Sequence, residues 1–161
     1  MDKKLQKAFN DQIKNELYSA YLYLSMAAYF ESNNLSGFAH WMKVQYKEEV
    51  SHGMKMFEFL CDRGVRVELE AIPQPPIEFS SVLGVFEETL KHEKKVTALL
   101  NALYDVAKKV DDKASEIFLQ WFINEQVEEE KNATVIIDTL KMIKPDSAGI
   151  IMYDRELGKR E

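Results

Sequence analysis

Apolar positions recur along this chain at helical spacing in four long stretches, and each stretch interrupts its apolar stripe with one carboxylate near the middle. The first stretch runs from Asp2, a good helix N-cap, to about Ser32, with Phe9, Ile13, Glu16, Ala20, Tyr23, Ala27 and Phe30 facing one way. The second, about Leu35 to Asp62, aligns Phe38, Met42 (with Trp41 beside it), Gln45, Glu49, His52, Met56 and Phe59. The third, about Ser81 to Val110, aligns Leu83, Phe86, Leu90, Glu93, Thr97, Leu100, Tyr104 and Ala107. The fourth follows a turn and N-cap at Asp111-Asp112 and stops before Pro145. Its stripe is Phe118 (with Leu119), Phe122, Gln126, Glu129, Ala133, Ile136, Leu140 and Ile143.

The connections set the topology. Asn33-Asn34 is short, so the second helix returns antiparallel to the first. Gly64 closes the second helix by supplying a left-handed C-terminal residue. Residues 65–80 carry alternating Val65, Val67 and Leu69, then Pro73, Pro75 and Pro76, which predicts an extended crossover without a helix. At ~3.3–3.6 Å per residue such a segment spans a bundle end to end, so the third helix starts beside the start of the second. A short fifth helix, about 147–158, has Ile150, Tyr153 and Leu157 on one side. With the long helices closing their own core, this small apolar face is expected to pack between subunits. The predicted fold is all-α: a four-helix bundle with one long crossover, about 2–144, plus a short C-terminal helix, all in one domain over 1–161.

Composition narrows the function classes. With 161 residues, 46% hydrophobic, 6 Gly and 4 Pro, the chain suits one packed helical domain. The net charge of −6 argues against a nucleic-acid footprint. The single Cys61 provides no intrachain disulfide and fits a reducing compartment. No apolar run reaches the ~18 residues of a membrane span, and the N-terminus lacks the apolar core of a secretory signal. A cytoplasmic protein with neither nucleic-acid nor membrane partners is expected.

The chemistry lies at mid-bundle. Helix residues three apart share a face, so Glu49 and His52 both point into the core. In a bundle of antiparallel neighbours the midpoints of all helices share one level, which brings Glu16, Glu49, Glu93 and Glu129 together. Like charges there repel, and desolvation raises their pKa values. Burying them costs several kcal/mol each unless compensated. Cations are the natural compensation, and four carboxylates with one imidazole can hold two divalent ions, Fe, Mn or Zn.

Longer motifs make the pattern specific. Asn15-Glu16-Leu17-Tyr18-Ser19-Ala20-Tyr21-Leu22-Tyr23-Leu24, Gly37-Phe38-Ala39-His40-Trp41-Met42, Glu48-Glu49-Val50-Ser51-His52, His92-Glu93 and Gln120-Trp121-Phe122 leading to Glu125-Gln126-Val127-Glu128-Glu129-Glu130 all resemble the bacterial non-haem ferritins. Ferritin-like carboxylate proteins are the established example of such a bundle. The resemblance implies a ferroxidase centre with Glu16, Glu49 and His52 at one iron and Glu49, Glu93 and Glu129 at the other. Glu49 bridges the two and Gln126 stands close by. Tyr23 matches the family's tyrosine beside the centre, as a hydrogen-bond donor to a ligand or a source of an electron. Glu48, Glu125 and Glu128 resemble a third, inner-surface iron site. His40 and His92 fall outside the stripe and read as structural, and Trp121 reads as core packing near the centre.

Further implications of the resemblance are oxidation of Fe²⁺ by O₂ or H₂O₂ and storage as ferric mineral. They include a homo-oligomeric shell of about 24 subunits, with the fifth helix at its four-fold axes. Val50 stands where a haem-binding subfamily has Met, so haem is not expected. Gln126 replaces the second metal histidine of rubrerythrin-like oxidoreductases, and one Cys supplies no rubredoxin module. The rivals are a metal-retaining di-iron peroxidase or oxygenase and a metal-free helical interaction protein.

Overall fold

The computed structural model describes residues 1–145 and 147–161. Five helices follow in order: α1 (Lys3–Ser32), α2 (Ser36–Asp62), α3 (Val82–Lys109), α4 (Lys113–Met142) and α5 (Ala148–Leu157). Each boundary has a local cause. The Asp2 carboxylate accepts from the Lys4 amide at 2.8 Å, and Ser81 and Asp112 cap α3 and α4 in the same way. Asn34 and Asp111 make their turns at positive φ, 58° and 57°, which short polar side chains tolerate. Gly64, at φ 68°, closes α2 through Val65 N donating to Leu60 O at 2.9 Å. Helix α4 ends at Met142, ahead of Lys144, whose helical conformation Pro145 disfavours.

Residues 65–79 form neither helix nor strand and run along α1 in the direction of that helix. Gln6 Nε2 donates to Arg66 O at 3.4 Å, Lys14 Nζ pairs with Glu70 at 2.6 Å, and Ser25 Oγ donates to Pro76 O at 2.5 Å. The crossover thus returns the chain to the end where α2 began, and α3 runs parallel to α2. This is the expected topology.

The core is divided. Phe30, Phe38, Phe86, Trp41, Ile137 and Leu140 belong to one apolar cluster at the α5 end. Leu5, Phe9, Met56, Leu60, Leu100 and Phe122 belong to a second at the other end. Between them lies a buried polar layer from α1 to α4: Glu16, Gln45, Glu49, His52, Glu93, Gln126 and Glu129.

The fifth helix departs from expectation. Ile150, Tyr153 and Leu157 already pack, partly buried, against the chain's own bundle, next to Phe38 and its neighbours. The reason lies at Gly37, where a Cβ would fall 1.6 Å from the Asp154 carbonyl oxygen. Only glycine lets the α5 backbone settle there. The large apolar side chains of α5 that remain exposed are Ile151 and Met152.

Candidate metal centre

Glu16 reaches the polar layer from α1, and Glu49 and His52 from successive positions on the same face of α2. One ligand atom from each lies within 4.8 Å of the others, the one such trio among the described residues. His52 Nδ1 stands 3.7 Å from Glu49 Oε2. Glu93 and Glu129 enter from α3 and α4, as buried as the trio. The structure brings these five expected ligands to one level. It does not gather Glu49, Glu93 and Glu129 as closely as the first trio.

Neutral donors hold most of the carboxylates. Gln12 Nε2 donates to Glu16 Oε1 at 2.8 Å, Gln45 Nε2 to Glu129 Oε2 at 2.9 Å, and Gln126 Nε2 to Glu93 Oε2 at 3.0 Å. The Tyr23 hydroxyl donates to Glu93 Oε1. Glu49 Oε2, by contrast, is buried without a hydrogen-bond partner. A desolvated carboxylate oxygen left unpaired between like-charged neighbours is costly, and a cation would satisfy it. The donor set of carboxylate oxygen and imidazole nitrogen fits iron.

Electrostatics follow from burial. Desolvation lifts Glu16 to about 7, against hydrogen bonds that pull the other way. Desolvation and the Glu93 charge lift Glu129 to about 8. Glu49 and Glu93 are also raised, first by burial, and Glu49 further by the charge of Glu16. Burial and the charge of Lys55 lower His52 to about 4, so its imidazole is neutral and free to ligate. Burial holds Tyr23 protonated, as a donor.

Comparison with known proteins agrees with this geometry. The sequence model of the ferritin-like domain family matches residues 6–143. Over 160 residues the chain is 43% identical to a bacterial non-heme ferritin of Bacteroides fragilis, covering 99% of both chains. It is 39% identical to a bacterial non-heme ferritin of Staphylococcus aureus, covering 99% of this chain and 96% of that one. An open pore ferritin from the hyperthermophilic archaeon Archaeoglobus fulgidus superposes with a TM-score of 0.98 at 46% identity. That match covers 100% of this chain and 98% of the other.

The chain belongs to the ferritin-like family.

Around the centre of this ferritin-like chain, several expected residues stand differently from their sequence reading. Trp121 is 39% exposed and is not a core residue. Its ring meets His52 edge-on at 5.4 Å, and Lys55 Nζ lies 3.3 Å from its centroid. A position that touches a buried imidazole and a surface lysine at once has to lie at the rim. His92 is structural as expected, bonded to Ser19 Oγ at 2.8 Å and packed edge-on to Tyr23.

Glu48 stands on α2, and Glu125 and Glu128 on α4. Burial, then the charges of Glu128 and Glu48, raise the pKa of Glu125. The three acids do not draw their oxygens together as Glu16, Glu49 and His52 do. Glu48 is ion-paired to Arg160.

Sequence reading gave no role to Gln12 or Gln45, and placed Gln126 only nearby. The available signal was spacing. Gln12 and Gln45 stand one turn before Glu16 and Glu49, inside the same polar layer. Which carboxylate each amide serves depends on packing: Gln45 bonds across the bundle to Glu129.

Proposed function

We propose that this ferritin-like chain is an iron-storage ferroxidase whose centre is built from Glu16, Glu49, His52, Glu93 and Glu129. In this reading Fe²⁺ is the substrate. Glu16 and His52 hold one ion, Glu93 and Glu129 the other, and Glu49 bridges them. Each Fe²⁺ gives one electron to O₂ or peroxide, and the ferric product moves on to a mineral store. The protein contributes position and fixed negative charge. Gln126 and Tyr23 orient Glu93, while Gln12 and Gln45 orient Glu16 and Glu129, as outer partners of metal ligands do. The observation that carries the reading is Glu49 Oε2, an unpaired buried oxygen beside Glu16 and His52.

Two cation sites side by side require deprotonated ligands, so iron binding displaces the protons that burial places on these groups. A homo-oligomeric shell, of about 24 subunits as in the family, and a cytoplasmic setting complete the proposal. Among the described residues no helix is long and apolar enough to cross a membrane.

The test is anaerobic Fe²⁺ titration of the purified protein followed by O₂. Two Fe²⁺ bound per subunit, rapid oxidation and an iron-loaded large particle support the reading. Stoichiometric iron that is never turned over would favour a metal-retaining oxidase instead.

A further inference from the structure

The last residues leave α5 and turn back along α2. The carbonyl oxygen of Arg160 accepts from His40 Nε2 at 2.7 Å, which fixes the backbone. The guanidinium then lies over the Trp41 ring, 4.5 Å from its centroid, and its Nη2 meets Glu48 Oε2 at 2.6 Å. Its Nη1 is buried and has no partner. A planar, permanently charged group is thus seated on an aromatic face and a carboxylate, two partners suited to it.

The seat is specific in position. Glu48 adjoins Glu49 in sequence, and its charge is felt at Glu125 on α4. Arg160 lies on Glu48 at 2.6 Å, three residues along α2 from Gln45, which holds Glu129 Oε2 at 2.9 Å, and so stands beside the way from Glu129 to the α2–α4 acids. Lys55 of α2, seated over Trp121 of α4, is a second resident cation whose charge is felt at Glu125. A metal ion and a guanidinium on one carboxylate repel each other in a partly desolvated setting, so Glu48 serves one of them at a time.

We infer that Arg160 is the chain's own occupant of the acidic exit beside the metal centre, a guanidinium that a departing iron ion displaces from Glu48. The inference rests on the ferroxidase reading. It makes Glu48, Glu125 and Glu128 a passage in this chain, because the tail competes for the carboxylate that a resident third ion would need. The unpaired Nη1 keeps the docked tail from being fully satisfied, which favours release.

The experiment is calorimetric titration of the assembled, metal-free protein with Zn²⁺, a redox-inert divalent ion. The parent is expected to take two tight ions per subunit. Arg160→Gln, and separately a chain ending at Lys159, should gain a further ion, bound about tenfold or more tightly than any third ion in the parent. Arg160→Lys keeps the charge and should show a smaller gain. Adding Glu48→Gln to Arg160→Gln should abolish it. If both tail variants keep two tight ions and gain nothing, or if the gain survives Glu48→Gln, the inference is overturned and the ferroxidase reading stands. Absence of the two tight ions in every form overturns that reading, and the inference with it.

Discussion

The Asp154 carboxylate accepts a hydrogen bond from the Phe38 backbone N–H at 2.9 Å and so caps α2 from a different helix. Leu35, the local N-cap, supplies no side-chain acceptor. Asp154 fills that role, and its negative charge suits the positive end of α2.

From this pair we expect Asp154→Ala to lower stability by about 1–2 kcal/mol, the usual cost of losing a cap. Gly37→Ala should displace α5 altogether, because its Cβ would overlap the Asp154 carbonyl. Denaturant melts of both variants, with hydrogen exchange at Phe38 and Ala39, check this. Unchanged protection in Gly37→Ala would mean that α5 does not seat as described.

Glu49→Ala removes the oxygen proposed to be shared by two ions. Loss of an outer partner of a metal ligand costs roughly 10–100-fold, and loss of the bridge should cost more. Stopped-flow oxidation of two Fe²⁺ per subunit should nearly vanish while helix content is retained. An unchanged rate would place the centre elsewhere.

The raised carboxyls make the metal-free protein sensitive to pH. Glu16 and Glu129 titrate at about 7 and about 8 in the fold, against an ordinary value of 4.5. A group with a raised folded pKa favours the fold fully below its unfolded value, and that advantage is lost as pH rises through the folded one. The apo melting temperature should therefore fall between about pH 5 and pH 8. Glu129→Gln should flatten the slope and raise the melting temperature at neutral pH. Saturating Zn²⁺ should reverse the trend, since ionised carboxylates bind it best. A pH-independent apo melt would contradict the burial of these groups.

Gln126 makes the two proposed iron positions unequal. One has the imidazole of His52; the other has Gln126, whose amide is spent on Glu93 Oε2 and on the Glu93 carbonyl at 3.2 Å. Nitrogen ligation holds iron more firmly, so the second position should release its product first. Gln126→His should tighten binding of the second ion and slow regeneration between oxidation cycles. Faster regeneration, or equal affinities in the parent, would contradict this asymmetry.

Much of this was legible in the chain. The stripe of Phe9 to Phe30 specifies a helix because its period agrees with the Asp2 cap, and that of Phe38 to Phe59 does so by its period and the Gly64 stop. Glu16, Glu49, Glu93 and Glu129 stand out because each breaks an apolar face at the same height. What stayed hidden depends on contacts between segments distant in sequence. Nothing local tells that Asp154 caps α2, that Arg160 reaches Glu48, or that Gln45 serves Glu129. Ile150, Tyr153 and Leu157 show an apolar face but not what it meets; the deciding residue, Gly37, lies on another helix.

The crossover gives the subunit a handed exterior. Residues 65–79 are stitched to α1 by Lys14 and Ser25, whereas Glu48, Glu125 and Glu128 stand on α2 and α4. One flank is thatched by the crossover; the other carries these acids, with only the Arg160 side chain laid on Glu48. In the proposed shell, every copy would turn the same flank to the contents. In that shell an extended connection, rather than any helix, would mark which way each copy faces.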